Sequence, residues 1–319
     1  MSTFTEADWE TLALEWLADQ EWRPLHGTDI APGTENGRTS WDDIVLPDRL
    51  LAKMRELNPA VPYEYLVQAR AAILAPQSQD AIAENHRLHE YLVKGYRGIS
   101  YIDHEGLEQT PTIGLVGTRP EDNELLAVRQ VTVRNSEHHR RFDVVLYLNG
   151  LPVAFFELKQ AGSEHADLAS AHAQLETYLR EFPMVFRFTV VSVISDGITA
   201  KYGTPFTPLE HYAPWNVDDD GKPVTTGHAT NPDKMGLELE YLIDGVFNPE
   251  RFLQLQRNFT AFDTGADGYV KRIAKPHQYF AVTKAVGNTV AAAESTGKAG
   301  VVWHTQGSGK SMEMELYAH

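Results

Sequence analysis

The chain has 319 residues, 42% of them hydrophobic, no cysteine, and a formal net charge of −16. That length holds about two domains with real cores. The lack of cysteine excludes disulfides, Cys-ligated zinc, iron–sulfur clusters and a thiol nucleophile, and the acidic balance argues against a protein that binds nucleic acid with its whole surface.

The first residues, MSTFTEADWE, are acidic and polar and so unlike a secretory signal. No apolar run approaches the ~18 residues that span a bilayer, so no membrane association is expected. The cytosol is the compartment most compatible with both facts. Residues 1–60 carry five basic and twelve acidic side chains. They read as an acidic N-terminal appendage with a short helix over 8–19 and a loop over 28–39. Helices are predicted over 63–74, stopping before Pro76, and over 78–92, ending at Lys94-Gly95.

Strands then dominate. Short or Leu/Val-rich segments at 113–116 and 124–133 precede 142–148 and 151–158, which flank Asn149-Gly150, a strong hairpin signal. A helix over 165–181 follows, with Leu168, Leu175 and Leu179 on one stripe. The apolar run VFRFTVVSVI at 185–194 has the pattern of a central buried strand. This order predicts an α/β domain with a mixed sheet flanked by helices. Residues 204–234 are rich in Pro, Gly and Asp and read as an excursion. Helices resume at 237–243, 249–259 and 277–293, and a strand at 300–303 runs into a Gly-rich turn. Between Arg129 and Arg141 lie four arginines and two histidines in addition to a lone glutamate, a local basic patch or simply a solvated strand edge and turn.

Three constellations carry chemistry. Asp143, Glu157 and Lys159 stand in apolar strands, where charge is costly unless paired or bound to an ion. Glu157 and Lys159 are two apart and share a strand face. Asp and Glu at one sheet edge can hold Mg²⁺ through oxygen ligands, with a lysine placed to position water and offset developing charge. A two-residue loop at Asn149-Gly150 would pair Asp143 with Phe156 and turn Asp143 away from Glu157. A shared metal therefore requires a longer loop, a bulge, or a bend at Asp143. Gln174 and Tyr178 are an i, i+4 pair on the following helix. Residues 304–311, HTQGSGKS, follow a predicted strand and end like a phosphate-binding loop, with Gly307, Ser308, Gly309, Lys310 and Ser311 as candidates for nucleotide phosphates and their Mg²⁺. The usual first glycine of that loop is His304 here.

Together these motifs, with HQYFAV at 277–282 and VVWHTQGSGKS at 301–311, resemble the R (HsdR) subunit of type I restriction–modification enzymes over roughly residues 60–315. The strings SDG at 195–197 and KYGT at 201–204 look like the same family. The family usually has proline before its first aspartate, and this chain has Phe142. The resemblance implies a PD-(D/E)xK restriction-endonuclease-like domain over 61–245 and the beginning of a RecA-like helicase/translocase domain of superfamily 2 over 246–319. It implies that Asp143 and Glu157 bind Mg²⁺, that Lys159 assists hydrolysis, and that Gln174 and Tyr178 help place DNA. It also implies that Gln278 reads the adenine of ATP while Lys310 and Ser311 hold its phosphates. The implied partners are double-stranded DNA, a specificity subunit and a methyltransferase subunit. On this reading the chain is a fragment of a longer motor subunit, without ATPase activity of its own. The tail after Ser311 has no sheet neighbours to pack on. Two other functions fit less of the pattern: a nucleotide-dependent translocase whose nuclease fold is only a docking platform, and a type III-like or recombination helicase–nuclease, in which the nuclease domain commonly follows the motor.

Overall fold

The structure, a computed structural model, describes residues 5–159, 167–226, 236–265, 268–295, 297–303 and 309–318. Its centre is a six-stranded mixed sheet in the order β1 (Arg23–His26), β4 (Leu125–Arg134), β5 (His139–Leu148), β6 (Leu151–Leu158), β7 (Val191–Ser195), β8 (Ala200–Gly203). β1 runs parallel to β4 and β6 parallel to β7, while the other neighbours are antiparallel. Every residue of β6 is buried, as befits an inner strand covered on both faces. Small two-residue strands β2 (Tyr101–Ile102) and β3 (Glu108–Gln109) pair apart from the main sheet.

Helices cover both faces. On one face lie α1 (Glu6–Asp19), α6 (Glu238–Val246) and α7 (Pro249–Asn258), which join Val144, Phe156 and Leu158 in one core. On the other lies α5 (Leu168–Glu181), packed through Ala171, Leu175 and Tyr178 on Val145, Phe155 and Ile194. A third cluster gathers α2 (Pro47–Leu57), α3 (Tyr63–Leu74) and α4 (Ala81–Lys94) against Leu151 and Phe188. Among the described residues, no helix is long and apolar enough to cross a membrane.

The first sixty residues differ from the appendage expected of them. α1 starts in a capping box, Thr5 with Asp8, and buries Trp9, Ala13, Leu14 and Leu17. β1 supplies the edge strand of the main sheet. Between them Trp22 is fully buried, donates its indole N–H to the Phe247 carbonyl at 2.8 Å, and meets Phe252 edge-on at 5.5 Å. Apart from buried Glu10 and half-buried Asp43, the acidic side chains mark the solvent face of a segment whose other face belongs to the core. The same contacts place α7 in the core with β6, across the boundary expected at 245/246.

Other differences have local causes. Residues 113–116 form only one isolated bridge, Ile113 with Tyr96. The apolar run 185–194 is divided: Pro183–Phe188 is a 3₁₀ turn and pairing begins at Val191, because Pro183 presets a helical φ at the first position of the turn. Among the described residues, 300–303 have no strand partner and leave Val301 and Trp303 exposed; a strand is defined by its neighbours. The tail is a helix, α9 (Lys310–Ala318), packed on α8 (Pro276–Ala293) and burying Leu316. A hairpin of β9 (Thr260–Gly265) and β10 (Gly268–Ile273), which the sequence pattern does not announce, docks on α4. There the buried Lys271 ammonium donates to Asn85 Oδ1 at 2.8 Å and to the Thr189 carbonyl at 2.6 Å.

Candidate active site

The β5–β6 hairpin decides the site. Its turn has two residues, Asn149 at φ 53° and Gly150 at φ 80°, the left-handed pair of a type I′ turn. A Cβ on Gly150 would lie 2.5 Å from the Leu46 carbonyl oxygen, so glycine is required there for space as well as conformation. Asn149 donates to the Leu115 carbonyl and accepts the Glu124 N–H, which anchors the turn in the fold. The register then shifts. Tyr147 faces Pro152 but Leu146 faces Ala154, leaving Val153 as the extra residue of a β-bulge. The bulge is one of the three devices that the sequence required for Asp143 to meet Glu157.

Pairing ends at Val144 and Phe156. Beyond it Asp143 Oδ2 accepts the Leu158 N–H at 2.8 Å, where the ladder has ended. Glu157 is 1% exposed. One of its oxygens accepts from Lys159 Nζ at 2.5 Å, and the other, Oε2, is buried without a hydrogen-bond partner. Lys159 Nζ also donates to Gln174 Oε1 at 2.8 Å. Gln174 Nε2 donates to the Tyr178 hydroxyl, which reaches the Arg141 carbonyl at 3.5 Å. The structure thus links Glu157, Lys159, Gln174 and Tyr178 in one chain of contacts running from β6 through α5 back to β5, with Asp143 beside it on the Leu158 N–H. Phe142, in the place where proline is usual, is buried with its ring edge-on to Tyr178 at 4.9 Å and Phe155 at 5.0 Å.

The electrostatics are those of two carboxyls short of positive charge. Burial pushes the Asp143 carboxyl up to about 7, against the Leu158 N–H that favours its ionised form. Burial pushes Glu157 up to about 8, with repulsion from Asp143 next, and Lys159 only partly offsets both. Burial likewise raises the Tyr178 hydroxyl. A buried and a half-buried carboxyl, with an orphaned carboxylate oxygen, suit a hard divalent cation. Mg²⁺ is held by one or two carboxylates with water completing its shell, so this pair could hold it, although no group of three or more His, Asp or Glu side chains with metal-holding geometry occurs among the described residues.

Sequence reasoning missed Glu10 on α1. It is 3% exposed, accepts from Gln130 Nε2 at 2.9 Å, and adds negative charge beside Asp143. The signal was present. Glu10, Ala13, Leu14 and Leu17 follow the i, i+3, i+4, i+7 spacing of one buried stripe, and a carboxylate on such a stripe marks a polar patch within the core.

The nucleotide candidates are only partly described. Gly307 and Ser308 lie outside the described residues. Gln278, in the first turn of α8, is buried and accepts the Lys275 N–H at 2.9 Å, and its amide donates to the Gly309 carbonyl at 3.4 Å. Gly309, at φ 84°, leads into α9, whose first two residues are Lys310 and Ser311. A cavity of about 560 Å³ is lined by Gln278, Gly309 and Ser311 together with Tyr202, Phe206 and Arg272. Gln278 and Gly309, far apart in sequence, thus meet at one cavity.

Residues 3–211 match the family described as type I restriction enzyme R protein N terminus, and residues 277–319 match the SWI2/SNF2 ATPase family. The type I restriction enzyme HindI endonuclease subunit of Haemophilus influenzae is 32% identical, covering 98% of this chain and 30% of its own length. A putative type I restriction enzyme MjaIXP endonuclease subunit of Methanocaldococcus jannaschii is 26% identical, covering 97% of this chain and 30% of its own. The SauCOLORF180P endonuclease subunit of Staphylococcus aureus is 25% identical over 60% of this chain and 18% of its own length. The chain therefore spans about 30% of the length of the first two relatives.

Proposed function

The chain belongs to the type I restriction enzyme R protein family, and from that premise we propose that it carries the Mg²⁺-dependent nuclease of a type I restriction enzyme, hydrolysing phosphodiesters of double-stranded DNA in a PD-(D/E)xK domain. The observation that carries the reading is the meeting of Asp143 and Glu157 beside Lys159, with Glu157 Oε2 left without a partner. The relatives bear the name endonuclease subunit, which supports it.

In this reading Asp143 and Glu157 hold the cation, which when bound supplies positive charge at the scissile phosphate and acidifies water. The chain's own residues do the rest. Lys159, fixed between Glu157 and Gln174, orients the attacking water and offsets charge developing on the phosphate. Gln174 and Tyr178 hold that lysine and border the path of the DNA strand. The sheet and its helices would form the nuclease domain, with a superfamily 2 motor beginning in the C-terminal part. ATP would bind there through Gln278, Lys310 and Ser311 and drive translocation in the longer protein, with specificity and methyltransferase subunits as partners. The match of residues 277–319 to an ATPase family supports this half.

The test is Glu157→Ala and Lys159→Ala in the assembled enzyme. Loss of DNA cleavage with ATP hydrolysis retained is expected. Cleavage retained by both variants would reject the nuclease assignment and favour a docking platform.

A further inference from the structure

Apart from the Arg141 carbonyl that meets Tyr178, the arginines between 129 and 141 make no hydrogen bond in the site above, yet the strands align them. On β4, Leu125 and Ala127 point into the core under α1, while Val131 and Val133 point into the core under α5. In a regular strand all four would share a face. The switch occurs at Gln130, a non-glycine residue at φ 57° lying between the pairs Arg129–Val144 and Val131–Phe142. Such a conformation costs about 1–2 kcal/mol, and Gln130 is kept in it by Glu10 and by His26, whose Nε2 lies 3.3 Å from Gln130 Oε1.

The consequence is in the arginines. Arg129 and Arg134 are five residues apart and would leave a regular strand on opposite faces. The switch returns both to the α1 side, and Arg141, paired across from Thr132, joins them. Five residues of strand span about 17 Å, which matches about five steps of a DNA strand at about 3.4 Å each.

None of the three is spent on an ion pair. Arg140 is held by both oxygens of Glu181 at 2.7 and 2.8 Å, but among the described residues no carboxylate lies within ion-pair distance of Arg129, Arg134 or Arg141. Arg129 makes one weak contact, to Thr11 Oγ1 at 3.4 Å, and Arg134 lies over the Trp41 ring at 4.4 Å. Arg134 and Arg141 are exposed, and Arg141 is two residues from Asp143. In a chain of net charge −16, DNA needs local positive charge to approach so acidic a centre.

We infer that Arg129, Arg134 and Arg141 form a phosphate track that lays the backbone of duplex DNA along the β4–β5 ribbon and into the carboxylate site. This rests on the nuclease reading and adds to it the surface on which the substrate lies. Such contacts set position and affinity and read no sequence.

The experiment measures binding of a short labelled duplex of arbitrary sequence to the full-length chain by fluorescence anisotropy, over a salt series, with Ca²⁺ replacing Mg²⁺. Changing the three arginines to alanine is expected to weaken binding at low salt and to flatten the slope of log K against log salt by about 0.9 for each arginine removed. Changing them to lysine is expected to restore most of the slope. An alanine variant with wild-type melting temperature and an unchanged slope would overturn the track, as would lysine variants that behave like alanine. Should the triple variant misfold, the exposed pair Arg134→Ala and Arg141→Ala carries the same expectation at two-thirds of the effect. Glu157→Ala separates the two proposals, because it should abolish cleavage, and the three arginine changes made in its background should still flatten the slope. If it still cuts, the nuclease reading fails whatever the arginines do.

Discussion

Replacing Glu157 by glutamine should stabilise the metal-free protein at pH 8. Asp143 and Glu157 titrate at about 7 and about 8 in the fold because burial disfavours their charged forms. In the unfolded chain both lose their protons near pH ~4. Between about pH 4 and 8 the folded state therefore binds more protons than the unfolded state. Stability then falls as pH rises through this window. The contribution of the pair is fully present below about pH 4 and lost above about 8. A tenfold difference in proton affinity is worth about 1.4 kcal/mol, but relaxation and the nearby Lys159 make about 2–3 kcal/mol the working figure for one carboxyl. For a domain of this size that is a melting shift of about 5–10 °C. The assay is a set of thermal melts of wild type and Glu157→Gln from pH 5 to 8, with and without Mg²⁺. Wild type should lose stability relative to the variant as pH rises. Mg²⁺, which binds the ionised pair, should restore it at pH 8 and do little at pH 5. Glu157→Gln should keep only the smaller slope due to Asp143 and show a much weaker Mg²⁺ response. A variant less stable than wild type at pH 8 without metal, or one with an undiminished Mg²⁺ shift, would show that the buried carboxyls are not short of positive charge.

Other outcomes follow from named contacts. Gln174→Ala removes one of the two acceptors that hold Lys159 Nζ; cleavage by the assembled enzyme should fall about tenfold to a hundredfold, while Gln174→Glu, which keeps an acceptor, should fall less. Gly150→Ala forces a Cβ against the Leu46 carbonyl at a positive φ and should cost about 1–3 kcal/mol in denaturant unfolding. Trp22→Ala empties a fully buried site between β1 and α7 and should cost about 3–5 kcal/mol in a single cooperative transition. A loss below about 1 kcal/mol would show that the first sixty residues are peripheral to the core.

Much of the fold was legible because local signals agreed with tertiary ones. Helix α3 appears over the residues that its apolar spacing and Pro76 indicate, and Asn149-Gly150 makes the expected turn. The bulge at Val153 was foreseen from chemistry rather than from residue type, as one of three devices, with a longer loop or a bend at Asp143, that let Asp143 and Glu157 meet. What escaped notice depended on distant partners. β1 is four residues of mixed polarity that become a strand only by lying beside β4. β9 and β10 are held by a lysine buried against α4, a contact without local pattern. Residues 300–303 carry strand-like side chains and have no strand beside them among the described residues. In the site, spacing revealed Glu157 with Lys159 and Gln174 with Tyr178, but the approach of Glu10 and the face switch at Gln130 arise from packing between α1 and β4.

The sharpest test is diffraction from crystals of the protein soaked in Mn²⁺, which scatters anomalously and shares the oxygen ligands of Mg²⁺. One anomalous peak is expected, bridging Asp143 and the free oxygen of Glu157 at about 2.1 Å from each, with Lys159 still between Glu157 and Gln174. A site that stays empty at saturating Mn²⁺, or a peak bound by Glu157 with Asp143 turned away, would contradict a shared metal and the nuclease chemistry built on it.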